Sequence, residues 1–418
     1  MTLTKLRRVH YGWVTVAICI GIMATHALSF YAFGVFLKPL TAQFNWDRGA
    51  LSIAYSVCII TSGVVGILGG RLTDKYGPRL IVTIGGLFTG AALLLMPLVN
   101  ALWQVYLIWA ILMGSGSAFI LVPVMTVVPR WFAKRRGIVM GMVMAGMGLG
   151  GIITPPLAQL LISAYKWRSA FVILGAITMV IIIPIAQFMK HSPRRAGLKP
   201  YGEDETGDEQ RLVPVSGGLS FSQAIRTSRF WLYGLIEAGM FFSFGTVMVH
   251  IVPHATDLEV PEIVAASILS IAAGISIVAR LGIGLLSDRL GGRLTLTACV
   301  SMVTLAMICL LFAKEIWTFY LFAVLFGLSY GGFMTLLPVV LAELFGLSSL
   351  GAIVGGISFV SAIGEGSGPP LSGNVFDTTG SYWQAFLICT VICGAALVLS
   401  LVLLSYKAKA GKSPEPAR

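Results

Sequence analysis

The chain has 418 residues, of which 57% are hydrophobic and 11% are charged, and its mean hydropathy is +0.89. Soluble domains carry about 25% charged residues, so this composition excludes an ordinary soluble protein and indicates an integral membrane protein. The net charge of +12 does not indicate nucleic-acid binding, because the basic residues are scattered through short loops between apolar segments.

The apolar segments predict an all-α membrane protein with twelve spans, since about 20 apolar residues cross the hydrocarbon core. The predicted spans are 12–37, 49–73, 79–99, 102–129, 136–164, 168–189, 229–255, 261–288, 293–313, 316–343, 349–374 and 381–406. The polar stretch 190–228 contains an acidic run and cannot bury a core, so it is predicted to be a flexible linker. It separates a six-helix bundle at 1–189 from a second at 229–406, and a tail follows at 407–418.

The basic residues predict the orientation of the chain in the membrane. With twelve spans, both termini and the linker lie on one side, and only a few Lys and Arg lie on the other. These few are Lys38, Arg48, Lys166, Arg168 and Lys314. Cytoplasmic loops are enriched in Lys and Arg, so the termini and linker are predicted to be cytoplasmic, with the chain in the cell inner (plasma) membrane.

The two halves of the chain repeat one another. The segment Gly70–Gly77 recurs as Gly284–Gly291, an offset of 214 residues, and Pro155-Pro156 recurs as Pro369-Pro370 at the same offset. A duplicated six-helix unit around a central path is the architecture of alternating-access transporters.

One positive charge lies deep inside a predicted span, at Arg280. A guanidinium stays protonated, and placing it at mid-helix costs about 2.5–3.5 kcal/mol on insertion scales. Its planar donors fit a carboxylate bidentately, which favours an anion-binding site on a transport path. An internal ion pair that holds two helices together is the alternative. The offset places Gly66 opposite Arg280 and Gly151 opposite the intramembrane Glu365, and this asymmetry favours a functional role.

The sequence GRLTDKYGPR after the second span, with GLLSDRLGGR after the eighth, resembles the cytoplasmic loop motif of the major facilitator superfamily. The resemblance implies the twelve-helix, two-bundle fold of that superfamily. It also implies that Asp74, Arg79, Asp288 and Arg293 are gating residues rather than ligand contacts.

A narrower resemblance starts at WFAKRRG, residues 131–137, and continues through Gly141, Ala145, Gly146 and Gly150. This segment is similar to the signature of the monocarboxylate transporter family, as are YGWV at 11–14 and SFYAF at 29–33. By the same resemblance Arg280 is the substrate arginine, and the absence of long tails implies a prokaryotic, lactate-type member. The chain departs from the family at Ser276, where an Asp is expected, and at Gly34-Val35, where a Lys is expected. That Asp and Lys are implicated in proton coupling in the family.

Several residues are predicted to surround Arg280 or to carry the proton. A small apolar pocket is predicted from the residues at mid-depth: Tyr31, Leu28, Tyr330, Phe333, Phe359 and Ser276. His250 and Asp257 share one helical face at the end of the seventh span, so they are predicted to couple the proton. Glu365 is the other candidate for proton coupling, or a partner of Arg280 or of a helix end.

The residues and the resemblance together predict a secondary transporter. It moves a small monocarboxylate of the lactate or pyruvate class with a proton by alternating access, as a monomeric functional unit. An organic-anion antiporter of the oxalate/formate type is one alternative, and a non-transporting membrane receptor on the same fold is another. No catalytic, metal-ligand or cofactor motif occurs, and the six cysteines lie in apolar spans, so the chain is predicted to be no enzyme and to hold no metal or cofactor.

Overall fold

A computed structural model describes residues 10–132, 136–193, 197–202, 218–346 and 349–405, without the side chains of residues 136, 137, 281, 288 and 351. The helices are α1 (Tyr11–Phe44), α2 (Arg48–Tyr76), α3 (Pro78–Leu95), α4 (Leu102–Leu107), α5 (Ser115–Val127), α6 (Arg136–Ala186), α7 (Phe221–Ala224), α8 (Ser228–Asp257), α9 (Glu262–Leu290), α10 (Gly292–Leu311), α11 (Ile316–Phe345), α12 (Leu350–Thr379) and α13 (Trp383–Ser405). A π-helical segment, Ile108–Gly114, joins α4 to α5. The acidic run of the linker, Lys134 and Arg135 of the family signature, and the tail at 407–418 lie outside the described residues.

The helices account for the predicted membrane spans. In the described ranges, ten helical segments are long and apolar enough to cross a membrane. One of them, Ile138–Ala186, covers 49 residues and breaks at Lys166, whose φ of 65° and ψ of 163° are not helical, so it supplies two crossings. α12 is not among the ten but has 30 residues, which is long enough to cross. The helices therefore agree with an all-α membrane protein of twelve spans.

The two copies of the repeated loop motif have the same backbone. Gly77, between α2 and α3, has a φ of 89°, and Gly291, between α9 and α10, has a φ of 86°. Each donates its N–H to a carbonyl four residues earlier at 2.9 Å, to Thr73 and to Ser287 respectively. Only glycine adopts such a positive φ without strain, so the turn itself explains these two glycines.

The glycines of α6 allow two close helix contacts. A Cβ at Gly146 would lie 2.6 Å from the carbonyl oxygen of Ile20 on α1, and a Cβ at Gly150 would overlap the carbonyl of Ala24. Small residues at this spacing let two helix backbones approach, as is common inside membranes. α1 and α6 are therefore packed backbone to backbone within the first half.

The opposite face of α6 touches the second half. A Cβ at Gly151 would lie 2.7 Å from the Cβ of Ala273 on α9, and a Cβ at Gly148 would overlap the side chain of Ile277. α6 is therefore shared between its own bundle and the interface between the halves.

α2 of the first half and α12 of the second half pack together at one end of the molecule. We call the end where α1 begins and residues 188–202 lie the linker side, and the other end the far side. α2 contacts α12 through its first turns, where Gly49 would place a Cβ 2.7 Å from the backbone nitrogen of Asn374. Toward the linker side, Ile67 of α2 is 66% exposed and Phe359 of α12 is 63% exposed. The two helices therefore pack closely near the far side, while Ile67 and Phe359 are uncovered nearer the linker side.

The packing of α1 on α6 gives a testable prediction. We expect Gly150→Ala to destabilise the protein by about 1–3 kcal/mol, because the added methyl group overpacks the contact with Ala24. Gly141→Ala on the same helix is the matched control, since no neighbouring atom lies within 4 Å of its added Cβ. The measurement is the thermal unfolding midpoint in detergent. Equal midpoints for the two variants would contradict the close packing.

Candidate functional site

Arg280 on α9 is buried at the interface between the halves. Its side chain is 6% exposed, and its Nη1 donates a hydrogen bond to the backbone carbonyl of Met144 on α6. Its Nε is buried and has no hydrogen-bond partner. In the part of the chain that the structure describes, no acidic residue forms an ion pair with Arg280. A buried cation with an unused donor is suited to an anion that arrives from outside the protein.

The packing of α9 fixes the direction in which Arg280 points. Gly331 on α11 packs against Ser276, with its Cβ position 2.7 Å from the Cα of Ser276. Ser276 is fully buried there, and its hydroxyl donates to the carbonyl of Ala273 at 2.7 Å. Ser276, predicted to contact substrate, therefore faces α11, while Arg280 one turn later reaches α6.

Two tyrosines accompany the guanidinium. Tyr31 of α1 is 1% exposed, and its hydroxyl makes no hydrogen bond of regular geometry with any described residue. Its ring packs on Gly151, where a Cβ would lie 2.9 Å from Cζ. Tyr31 and Tyr330 of α11 both interact electrostatically with Arg280 and with each other. The structure thus brings Arg280, Tyr31 and Tyr330 together, one from the first half and two from the second.

The other predicted pocket residues differ in their burial and in their neighbours. The ring of Phe333 is 1% exposed and packs on Phe241 and Phe244, with centroids 6.1 and 5.9 Å away. Leu28 is buried one turn before Tyr31 on α1. Phe359 lies on the exposed linker-side part of α12 and does not belong to the buried group.

Glu365 of α12 lies in the same region between the halves. The hydroxyl of Tyr55, on α2 in the first half, donates to its Oε1 at 3.0 Å. Tyr330 interacts electrostatically with both Glu365 and Arg280, although these two form no ion pair. The site therefore holds a carboxyl group and a guanidinium separately, on different helices of the second half.

A charged cluster, which we call the far-side gate, joins the halves at the end of α8. Arg48 holds Asp257 in a bidentate pair, with Nη1–Oδ2 at 2.5 Å and Nη2–Oδ1 at 3.2 Å. Lys38 contacts Asp257 Oδ1 at 3.1 Å, and Arg48 also donates to the hydroxyl of Tyr382 at 3.0 Å. Asp377 of α12 accepts the backbone N–H groups of Arg48 and Gly49 at 2.9 and 2.7 Å, at the start of α2.

His250 is buried beside the far-side gate and fully engaged. Its Nδ1 lies 3.0 Å from the hydroxyl of Tyr382, and its Nε2 lies 2.8 Å from the carbonyl of Pro369 and 3.3 Å from Ser52 Oγ. His250 and Asp257, predicted to act together, are therefore linked through Tyr382 and Arg48, at the far end of the molecule and not beside Arg280.

The predicted gating residues form contacts within each half at the linker side. Arg130 donates to Asp74 at 2.7 Å, and Arg79 donates to the side chain of Gln187 at 2.7 Å. In the second half, Arg293 lies 3.7 Å from Glu343, whose other oxygen accepts the N–H of Gly292 at 2.6 Å. The side chain of Asp288 lies outside the described residues.

A third intramembrane charge was not among the sequence predictions. Glu237, in α8, is 1% exposed and accepts a hydrogen bond from Ser361 of α12 at 3.3 Å. The rule that singled out Arg280, a charge well inside an apolar span, applies equally to Glu237 and would have found it. Tyr55 and Arg48 gave no such signal, because their partners Glu365 and Asp257 lie more than 200 residues away along the chain.

Comparison with known proteins supports this fold and these resemblances. The sequence profile of the Major Facilitator Superfamily matches residues 19–314 and 240–418. Human Monocarboxylate transporter 12 is 27% identical to the chain over 95% of its length and 80% of the human protein. Monocarboxylate transporter 13 of Bos taurus is 28% identical over 94% of the chain and 89% of the bovine protein.

The fold also matches solved transporters. A bacterial homologue of the human lysosomal transporter Spinster, in an inward-facing and occupied conformation, superposes with a TM-score of 0.75. Its sequence is 14% identical, and the match covers 97% of this chain and 99% of that one. The predicted fold class and the predicted resemblance are confirmed, and the relatives are transporters rather than enzymes. The chain belongs to the Major Facilitator Superfamily and is, over most of its length, similar to proteins named as monocarboxylate transporters.

Proposed function

We propose that this protein is a secondary transporter that moves a small monocarboxylate of the lactate or pyruvate class together with a proton by alternating access. The single observation that supports this proposal most is Arg280, a buried cation between the halves with no acidic partner in the described residues and with an unused Nε. The printed names of the relatives support the substrate class.

The proposed substrate binds through its carboxylate. Nη1 of the guanidinium donates to the carbonyl of Met144, which leaves Nε and the remaining donors for a carboxylate. The hydroxyl of Tyr31, which interacts with Tyr330 but makes no hydrogen bond of regular geometry, is a further donor beside the same anion. The described residues near Arg280 include no second cation, and Phe333 and Leu28 are apolar, so the proposed substrate has one carboxylate and a short apolar body.

Alternating access follows from where the halves touch. The far-side gate binds α2 of the first half to α8 and α12 of the second. Substrate entry from the far side requires these ion pairs to break, while the linker side closes. Arg280 donates a hydrogen bond to α6 across the interface. An anion bound to Arg280 would therefore neutralise the charge that the two halves enclose while the site changes its access from one side of the membrane to the other.

Arg280 cannot carry the proton, and Ser276 supplies no carboxyl group, so the proton must bind elsewhere. Asp257 accepts from Arg48 and Lys38 in this state, and both of its oxygens are occupied. Opening of the far-side gate would release those oxygens, and Asp257 would then bind a proton from the far side. Glu365 is the proton-coupling candidate nearest to Arg280, and His250 is the neighbour that links the gate to α12 through Pro369.

The role of Arg280 is tested first. We expect Arg280→Gln to weaken substrate binding by about one to two orders of magnitude, because a hydrogen bond to a charged group contributes roughly 1.5–3 kcal/mol. Arg280→Lys should also bind weakly, because an ammonium lacks the bidentate geometry. The measurement is uptake of labelled acids into proteoliposomes, with and without a pH gradient. Arg168→Gln, an exposed arginine on the far side, is the matched control. Normal affinity in a well-inserted Arg280→Gln would refute the proposal.

Substrate size is tested by competition. Short dicarboxylates should compete poorly against labelled lactate, because their second carboxylate would lose its hydration in an apolar pocket without a partner. Inhibition constants of matched mono- and dicarboxylates of two to four carbons provide the measurement. Dicarboxylate inhibition as strong as that by lactate would favour the oxalate/formate type of antiport.

The role of Asp257 is tested with its partner. Asp257→Asn should lose substrate accumulation driven by an acidic far side and retain binding, because the amide cannot take up a proton. Arg48→Gln removes the same ion pair but leaves the carboxyl group, so it should weaken the gate and keep proton-driven accumulation. If both variants lose accumulation equally, Asp257 acts only as a part of the gate, and Glu365 becomes the next candidate for proton coupling.

A further inference from the structure

Glu237 lies buried in the interface between α8 and α12. It is 1% exposed, and Tyr233, one turn earlier on α8, is fully buried. Ser361 of α12 contacts its Oε2 at 3.3 Å, whereas its Oε1 and the Tyr233 hydroxyl have no hydrogen-bond partner of regular geometry in the described part of the chain. Glu237 Oε1 and the Tyr233 hydroxyl therefore lie near each other in the protein interior.

Among the described residues, the side chains that interact with Glu237 include no cation; they are Tyr233 on its own helix and Ser361 on α12. α13 packs on another face of α8, where Cys393 is hydrogen-bonded to Ser243. Of the cations on α1 and α9, Lys38 contacts Asp257, Arg280 contacts Met144, and Arg289 is exposed in the last turn of α9. A carboxylate buried without a cation is very costly, so the neutral, protonated form fits this interface.

The donors and acceptors around Glu237 can accommodate a proton on its carboxyl group. Ser361 has one hydroxyl hydrogen, and two acceptors lie within reach, the Ile357 carbonyl at 2.9 Å and Glu237 Oε2 at 3.3 Å. A protonated Oε2 donates to Ser361 Oγ, which frees the serine hydrogen for Ile357. The Tyr233 hydroxyl then donates to Oε1 after a small adjustment. The protonated acid thus leaves none of these groups without a partner, and the burial of Glu237 away from any cation of the described residues favours it over the carboxylate.

Glu237 is connected to the proposed substrate site along α12. Ser361 and Glu365 lie four residues apart, so their side chains are neighbours on one face of the helix. α12 is packed tightly on α8 around them, since Gly364 abuts the backbone of Ala238 and a Cβ at Gly245 would lie 2.5 Å from the carbonyl oxygen of Glu365. The two carboxyl groups are therefore linked by one turn of a firmly held helix.

We propose that Glu237 holds a proton of the transport cycle, exchanged with Glu365 by way of the Ser361 hydroxyl, and that its protonation keeps α8 packed on α12. This inference rests on the proposed proton-coupled transport. In the exchange, the proton leaves the carboxyl of Glu365, Ser361 passes its hydrogen on and receives another, and the carboxylate of Glu237 becomes neutral. Loss of that proton leaves an unpaired charge in the interface and loosens α12, which also carries Glu365 and Asp377 of the far-side gate.

The experiment compares two transport modes in proteoliposomes. Exchange of labelled for unlabelled lactate at equal pH needs no net proton movement, whereas accumulation driven by a pH gradient does. We expect Glu237→Gln, which has the shape of the protonated acid, to keep exchange and lose accumulation. Glu237→Asp keeps the acid and should retain accumulation, and Ser361→Ala should slow accumulation without slowing exchange. A purely structural role predicts the reverse order, with the isosteric Gln milder than the shorter Asp. Glu315→Gln, at an exposed acid before α11, is the control.

Infrared spectroscopy of the purified protein separates this inference from the proposed function. The absorption of a protonated carboxyl at neutral pH should be present in the wild type and smaller in Glu237→Gln, and it should change when lactate is added. If wild-type uptake moves no proton but this absorption is found, the proposed function fails and the protonation of Glu237 stands. If the absorption is missing, or if Glu237→Gln accumulates substrate as the wild type does, the inference is overturned. Should Glu237→Gln fail to insert, Glu237→Asp and Ser361→Ala give the same decision.

Discussion

The constraint on which this structure depends is a permanent positive charge held inside a membrane protein. Arg280 cannot lose its proton, and the described chain offers it one backbone carbonyl and two tyrosines rather than a carboxylate. Arg280 is only 6% exposed, and the close packing of α6 and α11 on α9 at Gly148, Gly151 and Gly331 lies just before it on the helix. Its charge is left incompletely compensated at the place where the halves meet, and that deficit is the physical basis of the anion binding that we propose.

Three acidic residues of the second half each have a partner other than Arg280. Asp257 is neutralised by Arg48 and Lys38 at the far end, where the halves are closed. Glu365 is hydrogen-bonded to Tyr55 across the interface, and Glu237 is shut between α8 and α12. An ion pair between any of them and Arg280 would satisfy the arginine permanently and compete with substrate. In the proposed mechanism, this separation leaves the donors of Arg280 available to a substrate carboxylate.

The helices and the repeat could be predicted from the sequence because each depends on residues that are close together along the chain. Apolar length sets the spans, and the positive φ at Gly77 and Gly291 can be expected from the repeated motif alone. The position of Arg280 also followed from its own segment. The partners did not: Met144, Tyr55 and Arg48 are ordinary residues until folding brings a distant charge to them. Phe359 was predicted at the pocket from its depth alone, but depth does not say which face of a helix is exposed.

The asymmetry between the halves has two different physical origins. Gly151, the counterpart of Glu365, lies against Tyr31 and Ala273, where a Cβ would come within 2.9 and 2.7 Å of them, so close packing alone requires glycine there. Gly66, the counterpart of Arg280, would place its Cβ 3.5 Å from Val122, an ordinary contact that a side chain tolerates. Packing therefore explains why the first half has no acid at position 151, but it does not explain why the second half has an arginine at position 280. The asymmetry supports a functional role only for the arginine, and the case for Glu365 and Glu237 depends on their own contacts.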